Sequence, residues 1–176
     1  REYDIEGVIT FIFINGQYQE RDQVFSKSLK VSTGLSGFKS HRIDVPTRVS
    51  DPFELLNTAF VESALSISIK ENVDFTPPMR FLYLSTSKTN LMVSPKVYLK
   101  VSKNSSGTFI EEYISDKGSL FHNQSTNVKL EKNSTLDHIR IQTNSLKTTI
   151  VNNLTINQRK DSSYNFTQFS EGSGLS

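Results

Sequence analysis

The stretch KLEKNSTLDHIRIQ, residues 129–142, reads as two strand-like pieces divided by Asn133-Ser134. It could be a hairpin of a sandwich, a glycosylated surface loop, or one turn of a repeat. Laying LKVSKNSSGTFIEEYIS (99–115) over VKLEKNSTLDHIRIQTN (128–144) favours the last. Lys100, Val101, Lys103, Asn104, Ser105 and Ile110 then meet Lys129, Leu130, Lys132, Asn133, Ser134 and Ile139, at an offset of 29. A looser copy, LTINQRKDSSYNFTQFS (154–170), starts 26 residues after position 128, and an earlier one, IKENVDFTPPMRFLYLS (69–85), starts 30 before position 99. Each copy is strand, polar corner, strand.

A unit of this length that cannot bury its own apolar face is the mark of a solenoid. Two strands per turn predict a mainly β fold: a flattened parallel β-helix with inward aliphatics stacked in ladders between two sheets. Asn, Ser, Gly and Asp suit the tight bends. An antiparallel sandwich, which also has short strands at regular spacing, is the rival. On the solenoid reading, Leu99, Val128 and Leu154 form one interior column, while Leu136 and Glu112 sit awkwardly in phase.

Period-two alternation runs through ALSISI (64–69) and KVYLKV (96–101), and more poorly through Ile150, Leu154 and Ile156. Before residue 64 the pattern differs. FIFINGQYQE (11–20) carries Asn15-Gly16 between apolar and polar alternation and predicts a hairpin with a type I′ turn. Residues 26–50, with Gly34, Gly37 and Pro46, read as an irregular connection. DPFELLNTAFVES (51–63) predicts a helix over about 52–62, with Asp51 as N-cap, Pro52 in the first turn, Glu54 at N3, and Phe53, Leu56 and Phe60 on one face. This divides the chain into residues 1–63, a hairpin, connection and helix, and residues 64–176, a partial β-helix core.

With 20 basic and 18 acidic residues the net charge is +2, too even for a nucleic-acid footprint. No apolar run is long enough to span a bilayer, and residues 1–20 lack a signal peptide's apolar core. Arg1 in place of an initiator Met fits an excised piece of a longer chain. There is no cysteine, which removes disulfides, thiolate nucleophiles and cysteine-ligated metals and fits a reducing compartment.

The remaining chemistry is sparse. His41, His122 and His138 are far apart and read as surface or loop histidines rather than ligands. Glu111 and Glu112 are adjacent, so on a strand they face opposite ways and form no dyad; solvated charges are the simpler reading. Ser36 in GLSG is no nucleophile elbow, and the terminal GSGLS is no phosphate loop. The lysines of KVSK and KLEK read as solvated outward faces that blunt edge pairing. Five glycosylation triplets occur, at Asn104, Asn123, Asn133, Asn153 and Asn165. Two of them occupy equivalent corners, where Asn already has a structural purpose. No catalytic, cofactor-binding or metal residue is assigned.

Several stretches also carry a resemblance. DPFELLNTAF followed by an alternating strand, PPMRFLYLST, and VSPKVYLKVSKNSSGTFIEEYIS resemble the SufB/SufD family of iron–sulfur cluster assembly proteins, on its SufD side. LEKNSTLDHIRIQ and SSYNFTQFSEGSGLS are similar to later coils of the same family, and FINGQY to its N-terminal F-x-N-G-x-Y. The resemblance implies a right-handed β-helix and a non-enzymatic scaffold subunit. Its partners would be a SufB-like subunit, met through the β-helices, and SufC-like ATPase subunits, met through a C-terminal helical region. It implies a cytoplasmic location, or a plastid-type organelle in a eukaryote, with the iron–sulfur cluster handled by the complex and none bound by this segment. Gly172-Ser173 stands where the family has a glycine pair. The remaining coils, the helical tail and the family's interface cysteine and histidine would lie beyond Ser176, so no functional residue is carried over. The alternatives are a secreted all-β glycoprotein or carbohydrate-binding module, and a polysaccharide-processing β-helix enzyme, which would need carboxylates aligned across copies.

Overall fold

The computed structural model describes residues 3–21, 25–34, 51–86, 90–115, 118–143 and 147–171. In chain order the strands are β1 (Ile9–Ile14), β2 (Gln17–Gln19), β3 (Leu29–Thr33), β4 (Ala64–Ile69), β5 (Asp74–Ser85), β6 (Leu91–Val93), β7 (Lys96–Val101), β8 (Ser106–Ser115), β9 (Leu120–Leu130), β10 (Thr135–Thr143), β11 (Thr148–Gln158) and β12 (Ser163–Glu171), with helix α1 (Pro52–Phe60) before β4. They stack as parallel coils of a β-solenoid of about three turns. One sheet runs β12-β10-β8-β5-β1-β2 and the other β11-β9-β7-β4-β3, with β6 beside β9.

The coils pair in parallel, whereas β1–β2 and β3–β4 are antiparallel. The first of these is the expected hairpin. Asn15 and Gly16 both adopt positive φ, 49° and 82°, as a two-residue primed turn requires. The second was not foreseen: β3 lies inside the span read as an irregular connection. Gly37, Pro46, Ser36, His41 and the terminal GSGLS fall outside the described residues.

The corners explain the repeat. Asn72, Asn104, Asn133 and Asp161 occupy equivalent positions with φ of 58°, 55°, 56° and 60°. Asn and Asp tolerate this left-handed region best among residues with side chains. The amides form a ladder: Asn104 Nδ2 donates to Asn72 Oδ1 at 2.9 Å, and Asn133 Nδ2 to Asn104 Oδ1 at 3.1 Å. The serine that follows closes the two later bends, Ser134 Oγ donating to Glu131 O and Ser162 Oγ to Arg159 O, both at 2.7 Å, while Ser105 Oγ donates to Lys70 O of the preceding coil at 2.7 Å.

The corner spacings correct the alignment of the outer copies. Leu99 pairs with Val128 as expected, but Val128 pairs with Ile156, and Leu154 lies beside Thr126. The interior column is Ile67, Leu99, Val128 and Ile156. In the first copy the expected offset of 30 holds over Met79–Ser85, whereas β4, the corner and Phe75 pair at 32, because β5 shifts register between Phe75 and Met79, across Pro77 and Pro78, which cannot donate to a ladder. Both displacements are two residues, so each side chain kept its inward or outward sense.

Leu136 turns inward, fully buried, while Glu112 faces out and pairs with Arg80 at 2.7 Å. Early coils fill the lumen with aromatic ladders: Phe11 on Phe81 at 4.9 Å, Phe81 on Phe109 at 4.7 Å, Tyr83 on Tyr113 at 4.7 Å. Gly107 leaves room for the opposite sheet; a Cβ there would stand 2.6 Å from Ile69 Cδ1.

Helix α1 starts as its sequence predicts, Asp51 Oδ1 accepting from Phe53 N at 2.8 Å and Glu54 N at 3.4 Å. Its buried residue is Asn57, whereas Phe53 and Phe60 are 42% and 58% exposed. The sheet it rests on presents polar groups, so the helix docks by hydrogen bonds. Asn57 Nδ2 donates to Pro95 O at 3.0 Å and Asn123 O at 2.7 Å, and Glu54 reaches Lys96 at 2.7 Å.

Candidate functional site

Alternation along β8 sends Gly107, Phe109, Glu111 and Tyr113 into the lumen, and along β10 Leu136, His138, Arg140 and Gln142. Parallel register sets His138 beside Phe109, Arg140 beside Glu111 and Gln142 beside Tyr113. From the facing sheet β9 contributes His122, Gln124 and Thr126. The lumen, dry through β5 and β7, therefore turns polar in the later coils.

Glu111 is the centre. Thr126 Oγ1 donates to Oε1 at 2.7 Å; His138 Nε2 at 3.1 Å, Arg140 Nε at 2.8 Å and Arg140 Nη2 at 2.7 Å converge on Oε2. His138 Nδ1 meets the Tyr164 hydroxyl at 2.6 Å, and the Arg140 guanidinium lies over the Phe166 ring at 5.1 Å. On the other side Gln124 Nε2 donates to Thr126 Oγ1 at 3.2 Å, and Tyr113 OH to Asn152 Oδ1 at 3.0 Å. Glu111, His138 and Arg140 are 0%, 1% and 5% exposed.

Burial by itself pushes the Glu111 carboxyl up, but Arg140, then His138 and the hydrogen bonds, hold it well below the usual carboxylate range. Burial pushes the Arg140 guanidinium down, and Glu111 more than reverses it. His122, edge-on to Tyr83 and Tyr113 at 5.3 and 5.1 Å, is pushed down by burial to about 4. Burial raises Tyr83, Tyr113 and Tyr164.

Chemically this is a lock. Both carboxylate oxygens of Glu111 are engaged by internal donors. The third partner beside Glu111 and His138 is a cation, opposite to what a metal site needs. Among the described residues no three His, Cys, Asp or Glu converge. The expectations for His122, His138 and Glu111 are thus corrected: none is a solvated surface group. Local sequence cannot reveal this, because Glu111 meets its main partner only through coil stacking. An unpaired glutamate on the inward phase of a strand was the available signal.

The five triplet asparagines are equally committed. Besides the Asn104 and Asn133 ladder bonds, Asn123 Nδ2 donates to Phe53 O at 2.8 Å, Asn153 Nδ2 to Asn123 Oδ1 at 3.0 Å and Asn165 Nδ2 to Asp137 Oδ1 at 2.8 Å. A glycan on any of them would have to share an amide nitrogen that already donates one of these bonds. An open groove of about 620 Å³ lies at the β2–β3 end, lined by Tyr18, Phe25, Leu29 and Val31, where Glu20 bonds Thr33 and Arg21 bonds Asp4.

Parallel coils, an asparagine corner ladder and a charge-locked lumen define a β-solenoid protein. Residues 83–176, more than half of the chain, match the family model of the SufBD core domain of the SUF system for FeS cluster assembly. No curated protein matches the chain. The chain belongs to the SufB/SufD family, and a role in iron–sulfur cluster assembly fits that membership.

Proposed function

We propose that this chain is part of a SufD-like, non-catalytic scaffold subunit that pairs with a SufB-like subunit and a SufC-like ATPase during iron–sulfur cluster assembly. The observation that carries it is the match of residues 83–176 to the SufBD core domain. Thiolates that hold a nascent cluster would come from outside residues 1–176. The locked lumen supports the scaffold reading, since the carboxylate of its Glu111–His138 contact is engaged at both oxygens by internal partners. Its compartment on this reading is reducing, the cytoplasm or a plastid-type organelle. No helix among the described residues is long and apolar enough to cross a membrane.

The test is co-expression of the chain in its full natural context with SufB-like and SufC-like proteins, followed by affinity purification and native mass measurement. A stoichiometric assembly containing both is expected. Recovery of the chain without either, or cluster assembly unchanged in its absence, overturns the proposal.

A further inference from the structure

The corner ladder stacks more than asparagines. One residue before each lies Glu71, Lys103, Lys132 or Lys160. The backbone bonds each corner to the next: Asn72 N donates to Lys103 O at 3.0 Å, Asn104 N to Lys132 O at 3.1 Å and Asn133 N to Lys160 O at 3.2 Å. Lys103, Lys132 and Lys160 are all exposed and, among the described residues, make no ion pair. Neighbouring Lys100 and Lys129 are register partners that share Glu131, at 4.0 and 3.3 Å.

Over residues 100–106, 129–135 and 157–163 there are six cationic side chains and two carboxylates, a net +4 in a chain whose whole charge is +2. The basic charge is therefore concentrated on this corner, and the remainder of the chain is net acidic. Like charges held one coil apart repel, and the bend itself does not require lysine.

We propose that this lysine column is a docking ridge for an acidic helix of a partner protein, laid along the solenoid axis. The spacing carries the choice of partner. Coils repeat about every 4.8 Å, so three lysines span roughly 10 Å. Carboxylates at i, i+3 or i+4, and i+7 of an α-helix rise about 4.5–6 Å and about 10.5 Å, and stand on one face. A nucleic-acid duplex, with a charge about every 1.7 Å of axis, calls for a wider basic field than a chain of net +2 supplies.

The experiment measures fluorescence anisotropy of a labelled synthetic helix bearing glutamates at that spacing, titrated with the intact chain at low and high salt. A second peptide has the same glutamates dispersed around the helix. The triple variant Lys103→Gln, Lys132→Gln, Lys160→Gln is expected to bind the striped peptide roughly tenfold more weakly. The triple arginine variant is expected to retain binding, as is the control Lys27→Gln, Lys30→Gln, Lys147→Gln. Circular dichroism of each variant verifies the fold. Equal binding of both peptides, equal loss in the control triple, no binding, or displacement of the striped peptide by a single-stranded oligonucleotide of equal charge overturns the proposal.

Discussion

Glu111 and Arg140 occupy the same rung position on neighbouring coils, and inside the lumen the guanidinium Nη2 stands 2.7 Å from the carboxylate. A buried pair of this kind gains little over a well-packed apolar pair, but halving it strands a charge. Glu111→Gln should therefore lower stability by about 3–5 kcal/mol. The double change Glu111→Met with Arg140→Leu should recover most of that loss. Guanidinium chloride unfolding of the three proteins checks it; a loss below about 1 kcal/mol for the single variant would show that Arg140 finds another partner.

Acid should destabilise the solenoid in two stages. His122 is held neutral, with its folded value near 4 against an ordinary 6.5. The unfolded chain takes up that proton first, so stability is full above 6.5 and falls by about 3 kcal/mol as pH drops toward 4. Glu111 has a depressed value, so its contribution is present above the ordinary 4.5 and drains away only below it. Melting temperatures measured across this range should decline in both windows, and His122→Phe should remove the upper one alone.

At the corner, φ of 55° and the amide ladder make separable contributions for Asn104. Asn104→Gly keeps the backbone relaxed and loses only the ladder, whereas Asn104→Ala adds strain of about 1–2 kcal/mol. Alanine should therefore be the more harmful substitution by that amount in urea unfolding, the reverse of the order expected in a helix.

Helix α1 hangs on a polar residue. Asn57→Ala removes the donor shared by Pro95 O and Asn123 O and should cost about 2 kcal/mol. Asn57→Leu, which improves the helix's apolar stripe, should be no better. Limited proteolysis within residues 51–63 should accelerate in both variants, and an unchanged cleavage rate would mean that the Glu54–Lys96 ion pair suffices.

How far the sequence could be read depended on range. The primed turn at Asn15-Gly16 and the cap at Asp51 are local chemistry, and both stand where expected. The buried face of α1 was misread because amphipathicity assumes an apolar floor, and here the floor offers carbonyls. The repeat offset of 29 already set Arg140 over Glu111, but the site was missed because Glu111 was read as a solvated charge; the convergence of Thr126 and His138 on the same carboxylate comes only from stacking and the facing sheet.

Alternation of period two and the matched Asn-Ser corners favoured stacked two-strand coils with a definite inside over an antiparallel sandwich. In the outer copies, backbone pairing between coils decided which rung met which. A slip of two residues leaves every side chain on its own face, so hydrophobic patterning is blind to it. Hydrogen-bond register is not, and it is register that sets Val128 beside Ile156.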